Sequence, residues 1–136
     1  MKEPGPGEAN AAADEYWMRR ALALARLAAR RGEVPVGAVV VREGVLLGSA
    51  HDGKETRWLP TAHAEMLAME QAARHTGDWR LDDATLYVTA EPCPMCAGAL
   101  IHGRVRRLVF GASNPRWGAC GTVIDLVGEG RFNHPP

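Results

Sequence analysis

Two short segments, Thr61-Ala62-His63-Ala64-Glu65 and Glu91-Pro92-Cys93-Pro94-Met95-Cys96, constrain this chain more than any other feature. Between them they carry the metal-binding side chains His63, Cys93 and Cys96, and a fold that uses all three must bring both segments to one site. Cys93 and Cys96 stand three apart at the expected start of a helix, where positions i and i+3 share a face and both sulfurs can reach one ion. The unpaired N–H groups and positive dipole end of a helix N-terminus favour thiolates, the form that binds zinc. His63 also falls near a helix start, behind the tight Pro60-Thr61 segment. Three nitrogen or sulfur ligands leave the fourth tetrahedral position of Zn²⁺ open to water, which separates a catalytic zinc from a structural one. Glu65 then becomes the residue placed to move protons, a task worth ~10²–10⁴-fold in rate. A competing arrangement takes Cys120, in Gly118-Ala119-Cys120-Gly121, as a fourth ligand. That closes the site as Cys₃His and makes the chain a non-catalytic zinc-binding module.

At 136 residues the chain is expected to form one domain, which buries roughly two-thirds of its unfolded surface. Its 16 basic residues balance 16 acidic ones, so no overall positive field draws it to nucleic acid or to an anionic membrane. Arginines cluster locally at Arg104, Arg106 and Arg107 and again at Arg19, Arg20, Arg26, Arg30 and Arg31, a pattern that suits solvated helix faces and strand edges. No segment reaches the ~18 apolar residues needed to cross a bilayer, and the first residues lack the pattern of a signal peptide. Three cysteines cannot all pair with one another, and a Cys-x-x-Cys in a cytosolic setting points to metal or redox use before structural disulfides. A cytoplasmic protein is expected.

Residues 1–12, rich in Pro, Gly, Glu and Ala, are expected to be a disordered leader, with the folded domain spanning 13–136. Asp14 is expected to cap a helix in which Trp17, Met18, Ala21, Leu22, Ala25 and Ala28 recur at helical spacing, and Gly32 to stop it. The runs Val36–Arg42 and Val45–Ala50 around Glu43-Gly44 predict an antiparallel hairpin. A polar loop from His51 to Pro60 leads to a second helix, Ala62–His75, with Thr61 as its cap. A strand at Ala84–Thr89, a helix at Pro94–His102 with proline in its first turn, and a strand at Arg106–Phe110 follow. Gly111–Gly121 reads as a glycine-rich loop and Val123–Val127 as a short turn of helix. Strands alternating with helices after an opening hairpin predict a three-layer α/β/α sandwich around a mixed central sheet.

With these residues in view, the chain resembles the cytidine deaminase-like superfamily and, within it, the bacterial tRNA-specific adenosine deaminases. His-x-Glu followed by Pro-Cys-x-x-Cys is the recognised signature of zinc-dependent nucleobase deaminases. The resemblance runs from Glu15-Tyr16-Trp17-Met18 to Asn133-His134 and includes Glu33-Val34-Pro35-Val36-Gly37-Ala38, Leu86-Tyr87-Val88-Thr89, Met95-Cys96-Ala97-Gly98-Ala99 and Gly118-Ala119-Cys120-Gly121. It implies one Zn²⁺ per subunit on His63, Cys93 and Cys96, Glu65 as the proton shuttle, Val36 as a wall of the base pocket, and a homodimer. The implied reaction is hydrolytic conversion of adenosine to inosine at the wobble position of a tRNA anticodon loop, whose unpaired bases are inexpensive to extrude. The zinc signature is shared by deaminases of guanine, cytosine, cytidine and adenosine. Deamination of a free base or nucleoside, such as guanine or a related aminated heterocycle, is therefore the alternative.

The chain departs from that family at three places. His51-Asp52 stands where the family usually has His-Asn, whose asparagine contacts the base. An ionised aspartate accepts hydrogen bonds and donates none. Asp52 is accordingly expected to touch substrate, and either to favour a base with an extra N–H or to be held protonated. Leu59 stands where an aspartate is frequent, and the family's C-terminal strand and helix are expected to be absent from this sequence, which is either a shortened enzyme with a more open pocket or an abridged form of a longer chain. Among the remaining residues, Trp58 is a candidate base-stacking side chain or a rim packing residue, and Arg116 a phosphate contact. Trp79 and Trp117 suit packing or dimer contacts, His75 and His102 suit helix C-termini, and Met66 and Met69 suit the core.

Overall fold

The computed structural model describes residues 11–132. The expected leader thus lies outside the described residues except for Ala11 and Ala12, which already belong to the first helix, and Asn133-His134 lies outside them as well. The elements run α1 (Ala11–Arg30), β1 (Gly37–Arg42), β2 (Val45–His51), α2 (Lys54–Arg57), α3 (Ala64–Thr76), β3 (Thr85–Ala90), α4 (Pro94–His102) and β4 (Arg107–Ala112). The four strands form one mixed sheet in the order β2-β1-β3-β4, with β1 antiparallel to both β2 and β3 and β4 parallel to β3.

Strand periodicity sorts the side chains into two layers. Val39, Val41 and Tyr87 point to one face, where Trp17 of α1 is buried against them. Ala38, Val40, Leu86 and Val88 point to the other, against Ala64, Ala68, Met69 and Ala72 of α3 and Leu100 of α4. The result is the expected three-layer α/β/α sandwich, with Met69 inside its core and Met66 packed beside it. Small residues let the helices lie close to the sheet. A Cβ at Gly37 would come within 2.1 Å of the Ala21 carbonyl oxygen, so only glycine permits this approach of β1 to α1.

Local chemistry sets most boundaries. In the hairpin turn Glu43 and Gly44 both have positive φ, the pattern of a type I′ turn whose twist matches the flanking strands. At the end of α1, Gly32 is left-handed, its N–H donates to Ala29 O, and Glu33 N–H donates to Ala28 O, closing a Schellman motif.

Four expectations are corrected. Asp14 is not the cap of α1, which begins at Ala11. It lies in the first turn, where Arg107 grips it with two 2.7 Å hydrogen bonds and the Tyr87 hydroxyl donates to it at 2.8 Å. The cap of α3 is His63 and not Thr61, because Ala62 N–H donates to Leu59 O and His63 N–H to Thr61 O, holding residues 59–63 in a tight non-helical turn. The polar loop from His51 to Pro60 contains the single-turn helix α2. Val123–Val127 is not helical: Val123 N–H donates to Gly118 O and Leu126 N–H to Ala119 O, so these groups bond back across the loop instead of along a helix. Among the described residues no regular strand or helix follows β4, and none of their helices is long and apolar enough to cross a membrane.

Candidate active site

The antiparallel β1–β3 pair and the helices behind it bring two helix N-termini together at one end of the sheet. His63 is the N-cap of α3, and Cys93 is the N-cap of α4 with Pro94 next to it. The His63 side chain makes no bond to its own helix, which leaves it free to face the Cys93 thiol. His63 Nδ1 lies 3.6 Å from Cys93 Sγ and 3.5 Å from Cys96 Sγ. The three ligand atoms lie within 4.8 Å of one another and form a group that could hold a metal ion. The Cys96 thiol bonds to Cys93 and brings the Cys93 thiol down to about 5, while the same bond, together with burial, pushes Cys96 upward.

Glu65 follows in the first turn of α3 and is 4 % exposed. Burial pushes its carboxyl up to about 7; its own backbone N–H and His63 pull the other way, and Cys93 adds to the rise. Glu65, His63 and Cys93 line a cavity of about 580 Å³, whose walls include Val36, Asp52, Lys54, Asn114 and Trp117. That volume lies within the range of small-molecule sites. The sequence-derived residues Glu65, His63, Cys93, Val36 and Asp52 therefore share one cavity, with Cys96 buried behind it. Cys120 stands outside the three-ligand group, with its thiol pushed up to about 12, chiefly by burial.

The profile of the MafB19-like deaminases matches residues 12–128. The chain belongs to this deaminase family. It is 50 % identical over 121 residues to the tRNA-specific adenosine deaminase of Bacillus subtilis, spanning 89 % of this chain and 75 % of that protein. A solved tRNA:A34 deaminase, from work on A-to-I editing at the wobble position of transfer RNA, superposes with a TM-score of 0.86 at 38 % identity, covering 90 % of this chain and 94 % of the other. The guanine deaminase of Bacillus subtilis superposes less well, with a TM-score of 0.73 at 32 % identity over 93 % of this chain and 73 % of the other.

The deaminase cavity is walled by two loops, each held by a buried carboxylate to which the sequence reading assigned no role. Glu91, 2 % exposed, accepts from the N–H groups of Asn114 (3.2 Å), Cys120 (3.0 Å) and Thr122 (3.1 Å) and from the Thr122 hydroxyl. It ties the glycine-rich loop to the segment that carries Cys93. A Cβ at Gly118 would lie 2.5 Å from Glu91 Oε2, so glycine there makes room for the carboxylate. Glu33, 5 % exposed, accepts from the N–H groups of Glu55 (3.0 Å) and Thr56 (2.7 Å) and from the Thr56 hydroxyl, fixing α2 beside the cavity. Their only sequence signal was that both are acidic residues within the Glu33–Ala38 and Glu91-Pro92-Cys93 segments that carry the family resemblance.

The aromatic residues divide. Trp117 lines the cavity, whereas Trp58 is 89 % exposed and absent from its wall. Trp79 lies away from the site with the Arg80 and Arg104 guanidinium groups 4.5 and 5.4 Å from its ring. Arg116 is exposed beside Trp117, and both of their N–H groups donate to Asn114 Oδ1. His75 and His102 occupy the last turns of α3 and α4, as their spacing predicted.

Proposed function

We propose that this deaminase is a zinc-dependent hydrolase that converts adenosine to inosine at the wobble position of a tRNA anticodon loop. The observation that carries the reading is the His63–Cys93–Cys96 group beside a buried Glu65, in a chain half identical to a tRNA-specific adenosine deaminase. The donor set suits zinc. Ideal tetrahedral bonds to a thiolate and an imidazole would separate sulfur from nitrogen by about 3.6 Å. The corresponding separations here are 3.5 and 3.6 Å, and His63, Cys93 and Cys96 would hold the ion. When bound, zinc supplies the Lewis acidity that makes water a nucleophile at neutral pH.

The protein's own groups supply the proton traffic. With its carboxyl near 7, Glu65 populates both protonation states around neutrality, which suits a group that must accept and then donate. It takes a proton from the attacking water and gives it to purine N1 as the water oxygen adds to C6. It then carries the second water proton to the amino group, which departs as ammonia and leaves a carbonyl at C6. Val36 and Trp117 wall the cavity that receives the extruded base. The reading includes a homodimer, a cytoplasmic location and His63, Cys93 and Cys96 as the full set of protein ligands.

Asp52 favours a second reading. It is 4 % exposed on the cavity wall, and an acceptor-only side chain there suits a base richer in N–H groups, such as guanine. Incubating zinc-loaded protein with a transcribed anticodon stem-loop and with a panel of free bases and nucleosides, while measuring ammonia and inosine, separates the two. Inosine in the stem-loop is the expected result. Turnover of guanine with an inert stem-loop would overturn it.

A further inference from the structure

Apart from the loop-holding Glu91, the charged cavity-wall residues that take no part in the proton transfers above are Asp52 and Lys54, with Lys54 Nζ 3.8 Å from Asp52 Oδ2. We propose that they form one base-reading element, in which the Lys54 ammonium donates to purine N7 and the Asp52 carboxylate accepts from the adenine amino group. This rests on the adenosine reading and names how adenine would be told from guanine.

The chemistry of the purine edge motivates the pairing. Adenine presents an acceptor at N7 beside a donor at N6, and an amide side chain matches both at once. A lone carboxylate matches only the donor and would face N7 acceptor to acceptor. A neighbouring ammonium supplies what the carboxylate lacks, so two side chains here cover the functions of one amide. On this same edge guanine presents acceptors at both O6 and N7 and mismatches the carboxylate, so guanine suits Asp52 only in the second reading's orientation, with its N1–H and N2 groups turned to it.

The backbone around the pair is pinned at several points. Asp52 N–H donates to Val36 O at 3.1 Å, and Gly53 N–H donates to Ala62 O at 2.9 Å. Lys54 N–H donates to Asp52 Oδ1 at 3.1 Å, which leaves Oδ2 as the oxygen facing the ammonium. Lys54 is also the first residue of α2, the turn that Glu33 holds through Glu55 and Thr56. The backbone beneath the pair and the Asp52 carboxylate are therefore positioned before substrate arrives, which limits the ordering left to binding to the Lys54 side chain. Lys54 keeps about a third of its side chain accessible, so its ammonium can reach an incoming base.

The test is a set of variants assayed for kcat/KM on the anticodon stem-loop, each checked for zinc content and melting temperature. Lys54→Met is expected to lower kcat/KM by about 10- to 100-fold, the range for leaving a polar group of the site unpaired. Adding Asp52→Asn to Lys54→Met is expected to recover at least about ten-fold, because the amide brings its own donor. Lys54→Arg, which keeps a cationic donor, is expected to lose less than Lys54→Met. Arg57→Met removes the same charge from the exposed end of α2 and serves as the control for general attraction to RNA. An active wild type with Lys54→Met no worse than Arg57→Met would overturn the inference and leave the adenosine reading standing. So would a double variant no better than Lys54→Met, which would assign the lysine to a phosphate. A wild type inert on the stem-loop would sink both.

Discussion

Glu65 and Glu91 line the same cavity beside the candidate metal group, are 4 % and 2 % exposed, and yet have pKa values shifted in opposite directions. At Glu65 burial is the dominant influence, and the carboxyl rises to about 7. At Glu91 burial pushes in the same direction, but the Thr122 hydroxyl and the N–H groups of Cys120, Thr122 and Asn114 outweigh it and hold the carboxyl below its usual range. Burial alone does not decide whether a carboxylate stays charged; the supply of hydrogen-bond donors does. Glu65 is offered its own N–H and the Cys96 thiol, whereas a folded-back loop surrounds Glu91 with donors. One residue is left able to carry a proton and the other is fixed as an anion that holds the cavity wall.

The largest expected effect concerns the zinc proposed for the His63–Cys93–Cys96 group. Stripping the protein with a chelator should abolish ammonia release, and zinc should restore it; full turnover by metal-free protein would remove the hydrolytic reading altogether. Next comes Glu65→Ala, expected to retain zinc by elemental analysis and to lose about 10²–10⁴-fold in kcat. Robust turnover in that variant would assign the proton transfers to another group and dissolve the contrast with Glu91. Glu91→Gln should show the reverse pattern, with a loss of about 2 kcal/mol in unfolding free energy from weakened charge-assisted bonds and a much smaller loss of kcat in the folded enzyme. A melting temperature equal to wild type would show that the loop is held by something else.

Acid sharpens the comparison further. Because Glu91 titrates below its unfolded value of about 4.5, its stabilisation is complete above that value and disappears as pH falls through the lower folded one. Melting curves collected down that range should fall less steeply for Glu91→Gln than for wild type. Asp14 follows the same sign, since its bonds to Arg107 lower its pKa against the opposing effect of burial. Its ion pair is partly exposed, with side chains 26 % and 35 % accessible, so Asp14→Asn should cost only about 0.5–1 kcal/mol. Resistance to acid equal to wild type in that variant would take the α1–β4 ion pair out of the account.

Much of this arrangement was legible in the linear chain. The β-branched and aliphatic runs that became β1 and β2 and the helical spacing of apolar residues in α1 are local patterns, and local patterns survive without knowledge of the fold. The metal group was legible for a similar reason: Cys93 and Cys96 share one helix turn and His63 opens another, so few arrangements satisfy all three. The failures were at Asp14, Thr61 and Val123–Val127, where a local rule competed with a bond from elsewhere. Arg107 claimed the first, a tight turn displaced the second, and the carbonyls of Gly118 and Ala119 drew the third out of helix.

The amino-acid order determined which atoms could bind a metal and which carboxylate could sit beside it, because ligand type and helical spacing are properties of short segments. Tertiary structure decided what each acidic residue does there. Glu33 takes donors 22 and 23 residues away and Glu91 takes three N–H groups and a hydroxyl 23 to 31 residues away, whereas Glu65 has only its own N–H and the Cys96 thiol, too few to offset its burial. Since the charge of a buried carboxylate depends on the donors that reach it, proton carrier and structural anion became distinguishable only once the loops had closed around them.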